Sequence, residues 1–188
     1  METAFGPTRL RFLEGDIALQ DTEAVVIAAK GGLIGEGGLD CAILRAGGPR
    51  ILEECREIVA RQGPCATGKA VLTQGGLLPA AFVIHTVAPL WRGGGYSERE
   101  LLAECYRNVL RVAAAHGIRS VSFPAIGTGA SRFPQSLAAP IALRAVAEGL
   151  PAFTLEEVRF VLRTAEELSL YMEAWRRVLL YYRPGKAR

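Results

Sequence analysis

Apolar positions along the chain follow two periods, and the two alternate. Short apolar runs stand at Leu10–Leu13, Ala24–Ala29, Lys69–Thr73, Phe82–Val87, Ser120–Ala125 and Val158–Leu162. Each is too short for an ordinary helix and rich in branched or aromatic residues, so each predicts a strand. Between them lie longer stretches with apolar residues three and four apart, the mark of a helix with one buried face. Leu39, Ala42, Ile43 and Ala46 predict a short helix. Pro49 opens a second at a favoured first-turn position, with Ile51, Leu52, Cys55, Ile58 and Val59 as its stripe and Gly63-Pro64 as its stop. Ser97 and Glu100 read as a capping box for a third helix, which turns Leu101, Leu102, Cys105, Val109 and Val112 inward and ends at His116-Gly117. A fourth begins at Pro134 or Gln135 and ends near Gly149. Thr164 with Glu167 caps the last, whose Leu168, Tyr171, Trp175, Val178 and Leu179 read as core. The tail from Pro184 is expected to fray.

Strands alternate with helices without an internal repeat or linker. The pattern predicts a single α/β domain over residues 1–188, with its core in about 8–182. The expected architecture is three-layer α/β/α, a mixed or mostly parallel sheet covered on both faces.

Two glycine loops interrupt this pattern, both directly after strands. Gly31, Gly32, Gly35, Gly37 and Gly38 put five glycines into eight residues after the strand 24–29. Ile126-Gly127-Thr128-Gly129-Ala130-Ser131 follows the strand 120–125. So much glycine costs backbone entropy unless the backbone turns sharply or approaches something closely. Strand, glycine loop and helix N-terminus together present backbone N–H groups to an anion, usually a phosphate. Both loops leave a strand's C-terminal end, where ligands of open α/β sheets bind, so the pair is placed to grip a diphosphate from two sides. Asp16, at the end of the first strand, reads either as a cap for the next turn or as a ligand contact. His85 lies within a strand and reads as a core residue.

Composition narrows the partners. The chain has a formal net charge of +3 and no long basic run, which suits an anionic ligand better than general nucleic-acid binding. Cys41, Cys55, Cys65 and Cys105 form no CxxC pair, and His85 and His116 are not at ligand spacing, so no metal site is expected. No apolar run reaches membrane-spanning length and no signal peptide is evident, which points to a cytoplasmic protein with reduced thiols.

The order of these pieces resembles the macrodomain family of ADP-ribose-binding modules. The matching residues are Gly15-Asp16-Ile17, Gly37-Gly38-Leu39-Asp40, Ala42-Ile43, Arg45-Ala46-Gly47, Ala66-Thr67-Gly68, Val83-Ile84-His85-Thr86-Val87 and Phe123-Pro124-Ala125-Ile126-Gly127-Thr128-Gly129. The resemblance implies that Asp16 accepts a hydrogen bond from the adenine amino group, with the Ile17 backbone alongside. Ala29, Lys30, Gly37, Gly38 and Leu39 would approach the distal ribose and diphosphate. Pro124, Ala125 and the loop Gly127, Thr128, Gly129, Ala130, Ser131 and Arg132 would wrap the diphosphate. Arg163 falls where the family places an aromatic residue against adenine; a guanidinium can also stack on a base.

Three functions remain open at this level. The first is binding of ADP-ribose, free or carried by a small molecule or protein, with no cofactor. The second is hydrolysis of ADP-ribosyl esters, in which Asp40 would be the catalytic carboxylate. The third is binding of poly(A) or other RNA. Hydrolytic members usually read Asn-Ala-Ala-Asn where this chain has Ile27-Ala28-Ala29-Lys30, and often carry a histidine at the position of Leu44. Both departures imply weak or no turnover. No oligomeric state is implied.

Overall fold

The computed structural model describes residues 1–34 and 38–182, with residues 38–40 described by their backbone alone. Seven strands form one sheet: β1 (Glu2–Phe5), β2 (Thr8–Glu14), β3 (Ala24–Ala29), β4 (Ala70–Gln74), β5 (Phe82–Val87), β6 (Ser120–Phe123) and β7 (Glu157–Leu162). The helices are α1 (Gly38–Gly47), α2 (Pro49–Gln62), α3 (Glu98–Ala115), α4 (Gln135–Gly149) and α5 (Ala165–Tyr181). The strand order is β1-β2-β7-β6-β3-β5-β4. From β2 to β5 all neighbours are parallel, while the edge strands β1 and β4 run antiparallel. This is the expected mixed α/β/α sheet. β1 was not expected: four residues joined to β2 through Gly6 give too little apolar pattern to read.

Alternation along the strands builds two cores. On one face Phe12, Phe123 and Phe160 meet Tyr106, Tyr171 and Trp175 from α3 and α5, with the small residues of α4 alongside. On the other, Val25, Ile27 and Val83 meet Ile43 of α1 and Ile51 and Cys55 of α2. Over β2 and β7 this second face instead carries charge: Arg11 pairs with Glu157 at 3.4 Å, and Arg159 pairs with both Glu157 and Asp21.

Four local readings need correction. Ala42 and Ala46 of α1 are exposed; Ile43 and Gly47, four apart, face inward, so the stripe is phased one residue later. Ser97 makes no side-chain cap bond, because its backbone is left-handed (φ 57°). The adjacent Glu98 organises that junction instead. At α5, Thr164 Oγ1 accepts from Glu167 N as expected, but the return arm of the box reaches Arg163 N rather than Thr164 N. The strand read as 120–125 ends at Phe123, and the next residue, Pro124, has no N–H to continue the ladder.

His85 is a core residue. It is fully buried between Thr73, whose hydroxyl lies 2.8 Å from Nε2, and Cys55. Burial pushes its pKa down to about 3, so the ring is neutral at any physiological pH.

Phe160 is the hub of the larger core, its ring within 5.4–5.7 Å of Phe12, Phe123 and Tyr171. Phe160→Ala is expected to lower unfolding free energy by about 3–5 kcal/mol in urea denaturation. A loss below about 1 kcal/mol would contradict this packing.

Candidate functional site

Because β2, β7, β6, β3 and β5 are parallel, their C-terminal ends open on one edge of the sheet. Along that edge stand, in order, Gly15-Asp16 after β2, Arg163 after β7, the segment 124–132 after β6, Ala29-Lys30 at the end of β3, and the segment 88–97 after β5. The sequence candidates are thus brought into one row, although they come from distant parts of the chain.

The β2 and β7 ends are fastened together by Gly15 N, which donates to Leu162 O at 2.9 Å. Asp16 is exposed and caps a single 3-10 turn, Oδ1 accepting from Ala18 N at 2.9 Å. Capping engages one carboxylate oxygen and the residue is exposed, so the two roles considered for Asp16 are compatible. Arg163 is exposed beside it. Its N–H is fixed by Glu167, which also accepts from Gln135 at the start of α4. One nearly buried carboxylate therefore joins the β7 end to the helix that follows the glycine loop.

The loop after β6 is bent by Gly127 (φ 84°), where an added Cβ would lie 3.5–3.6 Å from Leu102, Phe133 and Ala88. Several hydrogen bonds anchor it. Ile126 N donates to the hydroxyl of buried Tyr106 at 3.1 Å, Phe133 N to Gly127 O at 2.9 Å, and Trp91 N to Ser131 O at 2.9 Å. Thr128 turns its hydroxyl back onto Ala125 O. Among the described residues, the N–H groups of Gly129, Ala130 and Ser131 have no acceptor. A Cβ built on Gly129 meets nothing within 4 Å, so this backbone faces open space. Arg132, also left-handed (φ 55°), closes the turn. Successive free N–H groups on a loop leading into a helix form a concave anion site.

Lys30 is exposed at the end of β3, next to nearly buried Ala29. Gly37 lies outside the described residues, as do the side chains of Leu39 and Asp40; the backbone of Gly38 to Asp40 forms the first turn of α1. Apart from this row, and from a larger, charge-lined depression of about 520 Å³ over α2, a depression of about 350 Å³ lies between α1 and α2, lined by Ile34, Cys41, Leu44, Arg45 and Leu52. It is mostly apolar and offers no row of free donors, so the sheet edge is the better site for a charged ligand.

Three residues shape this edge in ways the sequence did not show. Tyr106 holds Ile126 from below; its spacing four residues after Leu102 marks it as inward. Glu167 was read as a helix cap alone. Glu98 was masked by the apparent capping box. Its buried carboxylate accepts from Arg92 N, Gly94 N and Tyr96 N at 3.0, 3.1 and 2.6 Å. Burial opposes its ionisation, but the bonds to its own backbone N–H and to those three override that and hold its pKa at about 2. A carboxylate three residues after a run of three glycines was the available signal.

With this geometry in view, known proteins are informative. The Macro domain family model matches residues 26–142. The chain belongs to the macrodomain family. A Macro domain-containing protein of Cupriavidus necator is 50% identical over 165 residues, covering 87% of this chain and 95% of that protein. An O-acetyl-ADP-ribose deacetylase of Salmonella newport is 47% identical, covering 87% and 92%. Among solved structures, a variant of the Oceanobacillus iheyensis macrodomain with ADPR superimposes with a TM-score of 0.91 at 35% identity, covering 96% of this chain and 98% of that one.

Tyr106→Phe keeps the ring packing and removes the acceptor for Ile126 N. It is expected to destabilise the protein by about 1–3 kcal/mol and to speed hydrogen exchange at the Ile126 amide. Unchanged stability and exchange would show that the hydroxyl does not anchor the loop.

Proposed function

We propose that this protein binds ADP-ribose, free or attached to a small molecule or protein, along the C-terminal edge of its sheet. The observation that carries the reading is the row of N–H groups at Gly129, Ala130 and Ser131, which have no acceptor among the described residues, in a loop anchored on both sides. These groups suit a diphosphate, with Pro124, Ala125, Gly127, Thr128 and Arg132 shaping the turn. One strand pair further along, the second carboxylate oxygen of Asp16 and the Ile17 backbone suit the adenine amino edge, and the Arg163 guanidinium suits the face of the base. In the other direction, Ala29, Lys30 and the loop containing Gly37, Gly38, Leu39 and Asp40 suit the distal ribose. A small ligand that runs base, phosphates, ribose fits the order of strands β7, β6, β3.

Asp16→Ala is expected to weaken ADP-ribose binding by about 1–3 kcal/mol, the range for a charge-assisted hydrogen bond. Titration calorimetry checks it; no binding by wild type at millimolar ADP-ribose would refute the function itself.

A second reading, turnover of ADP-ribosyl esters through Asp40, is favoured by relatives such as the Salmonella newport protein being named O-acetyl-ADP-ribose deacetylases. The residues argue for weak turnover. Hydrolysis needs a water held in line with the scissile bond. Lys30 has donors but no acceptor, and its long stem positions poorly. Displacing a positioning group by about 1 Å can cost on the order of a hundredfold in rate. Leu44 offers no proton-carrying group. Incubation with O-acetyl-ADP-ribose is therefore expected to give little acetate, and Asp40→Ala to change it little. Robust release that disappears in Asp40→Ala would make the protein an enzyme.

A further inference from the structure

We infer that the loop from Leu90 to Tyr96 contacts the polypeptide to which a bound ADP-ribosyl group is attached, an inference that rests on the ADP-ribose reading above. The order of strand ends carries it. If the base lies at β2 and β7, the diphosphate at β6 and the distal ribose at β3, then the next strand end in the row is that of β5. The segment after β5 therefore stands beyond the distal ribose, where whatever is bonded to that sugar must leave the cleft. It also joins the diphosphate loop directly: Trp91 N donates to Ser131 O, and the Trp91 ring lies 4.6 Å from that of Phe133.

The loop is fixed from inside yet exposes contact-forming side chains. Its backbone is folded around the Glu98 carboxylate by three N–H bonds, with Gly93 and Gly94 at positive φ. Outside, Leu90 is 51% exposed and Tyr96 66% exposed, and the Arg92 guanidinium lies 5.7 Å from the Tyr96 ring centre. Tyrosine and arginine are the residue types that dominate protein contacts, and a loop already ordered loses little entropy on binding. A free nucleotide ending at the distal ribose makes no use of these side chains. A polypeptide continuing from that ribose passes over them, with Arg92 placed to receive a carboxylate or carbonyl.

The test compares two ligands on two proteins. The ligands are free ADP-ribose and a short peptide bearing ADP-ribose through a hydrolysis-resistant linkage, with the unmodified peptide as control. The proteins are wild type and the double variant Arg92→Ala/Tyr96→Ala. Both substitutions leave the backbone N–H groups that Glu98 holds, so the loop keeps its internal bonds. Wild type is expected to bind the modified peptide about tenfold tighter than free ADP-ribose, roughly the effect of one strong contact. The double variant is expected to bind both equally, with free ADP-ribose unchanged. Equal affinities in wild type, or equal losses for both ligands in the variant, would overturn the assignment. Failure of wild type to bind free ADP-ribose would instead overturn the function on which it stands.

Discussion

The site depends on three successive backbone N–H groups, those of Gly129, Ala130 and Ser131, that have no acceptor among the described residues. An unpaired donor costs free energy if buried and little if it faces water or an anion. The loop after β6 is anchored on either side of these donors. Tyr106 takes Ile126 N, Gly127 takes Phe133 N, and Ser131 gives its carbonyl to Trp91. A Cβ built on Gly129 meets nothing within 4 Å, so the backbone between the anchors borders open space. The aromatic core beneath, with Tyr106 wedged against Phe123 and Phe160, keeps those anchors in place.

The same chemistry occurs twice along this edge. In the loop after β5, backbone N–H groups converge on an anion that the chain supplies itself, the Glu98 carboxylate. In the loop after β6 such groups converge on open space. The first nest is structural because its anion is built in, and the second can receive a ligand because none is. Parallel strands place the two side by side across the end of β3, so a carboxylate bound by backbone amides stiffens one wall of the edge.

Much of this was legible in the residues. Among the described residues, six of the seven strands and all five helices follow from apolar period, and the glycine loop after β6 stands where its composition placed it. β1 escaped because an edge strand of four residues has no period to detect. The box at Ser97 and the return arm of the box at Thr164 were misjudged because a capping box is a spacing, whereas what forms depends on which carboxylate is nearer the free N–H groups: Glu98 outcompetes Glu100, and Glu167 reaches one residue further back. The residues that hold the site from behind, Tyr106 above all, were hidden for a related reason. A tyrosine on the inward face of a helix looks like core, and only the fold reveals that its hydroxyl meets the one amide that starts the loop.

The most direct test of the account is an amide-resolved NMR titration with ADP-ribose. The account predicts large, saturable shifts at Gly129, Ala130 and Ser131 and at Ile17 and Ala18, with the Glu98-bound amides of Gly94 and Tyr96 nearly still. Shifts confined to α1 and α2 around Cys41 and Leu52, or none at the loop after β6, would contradict it.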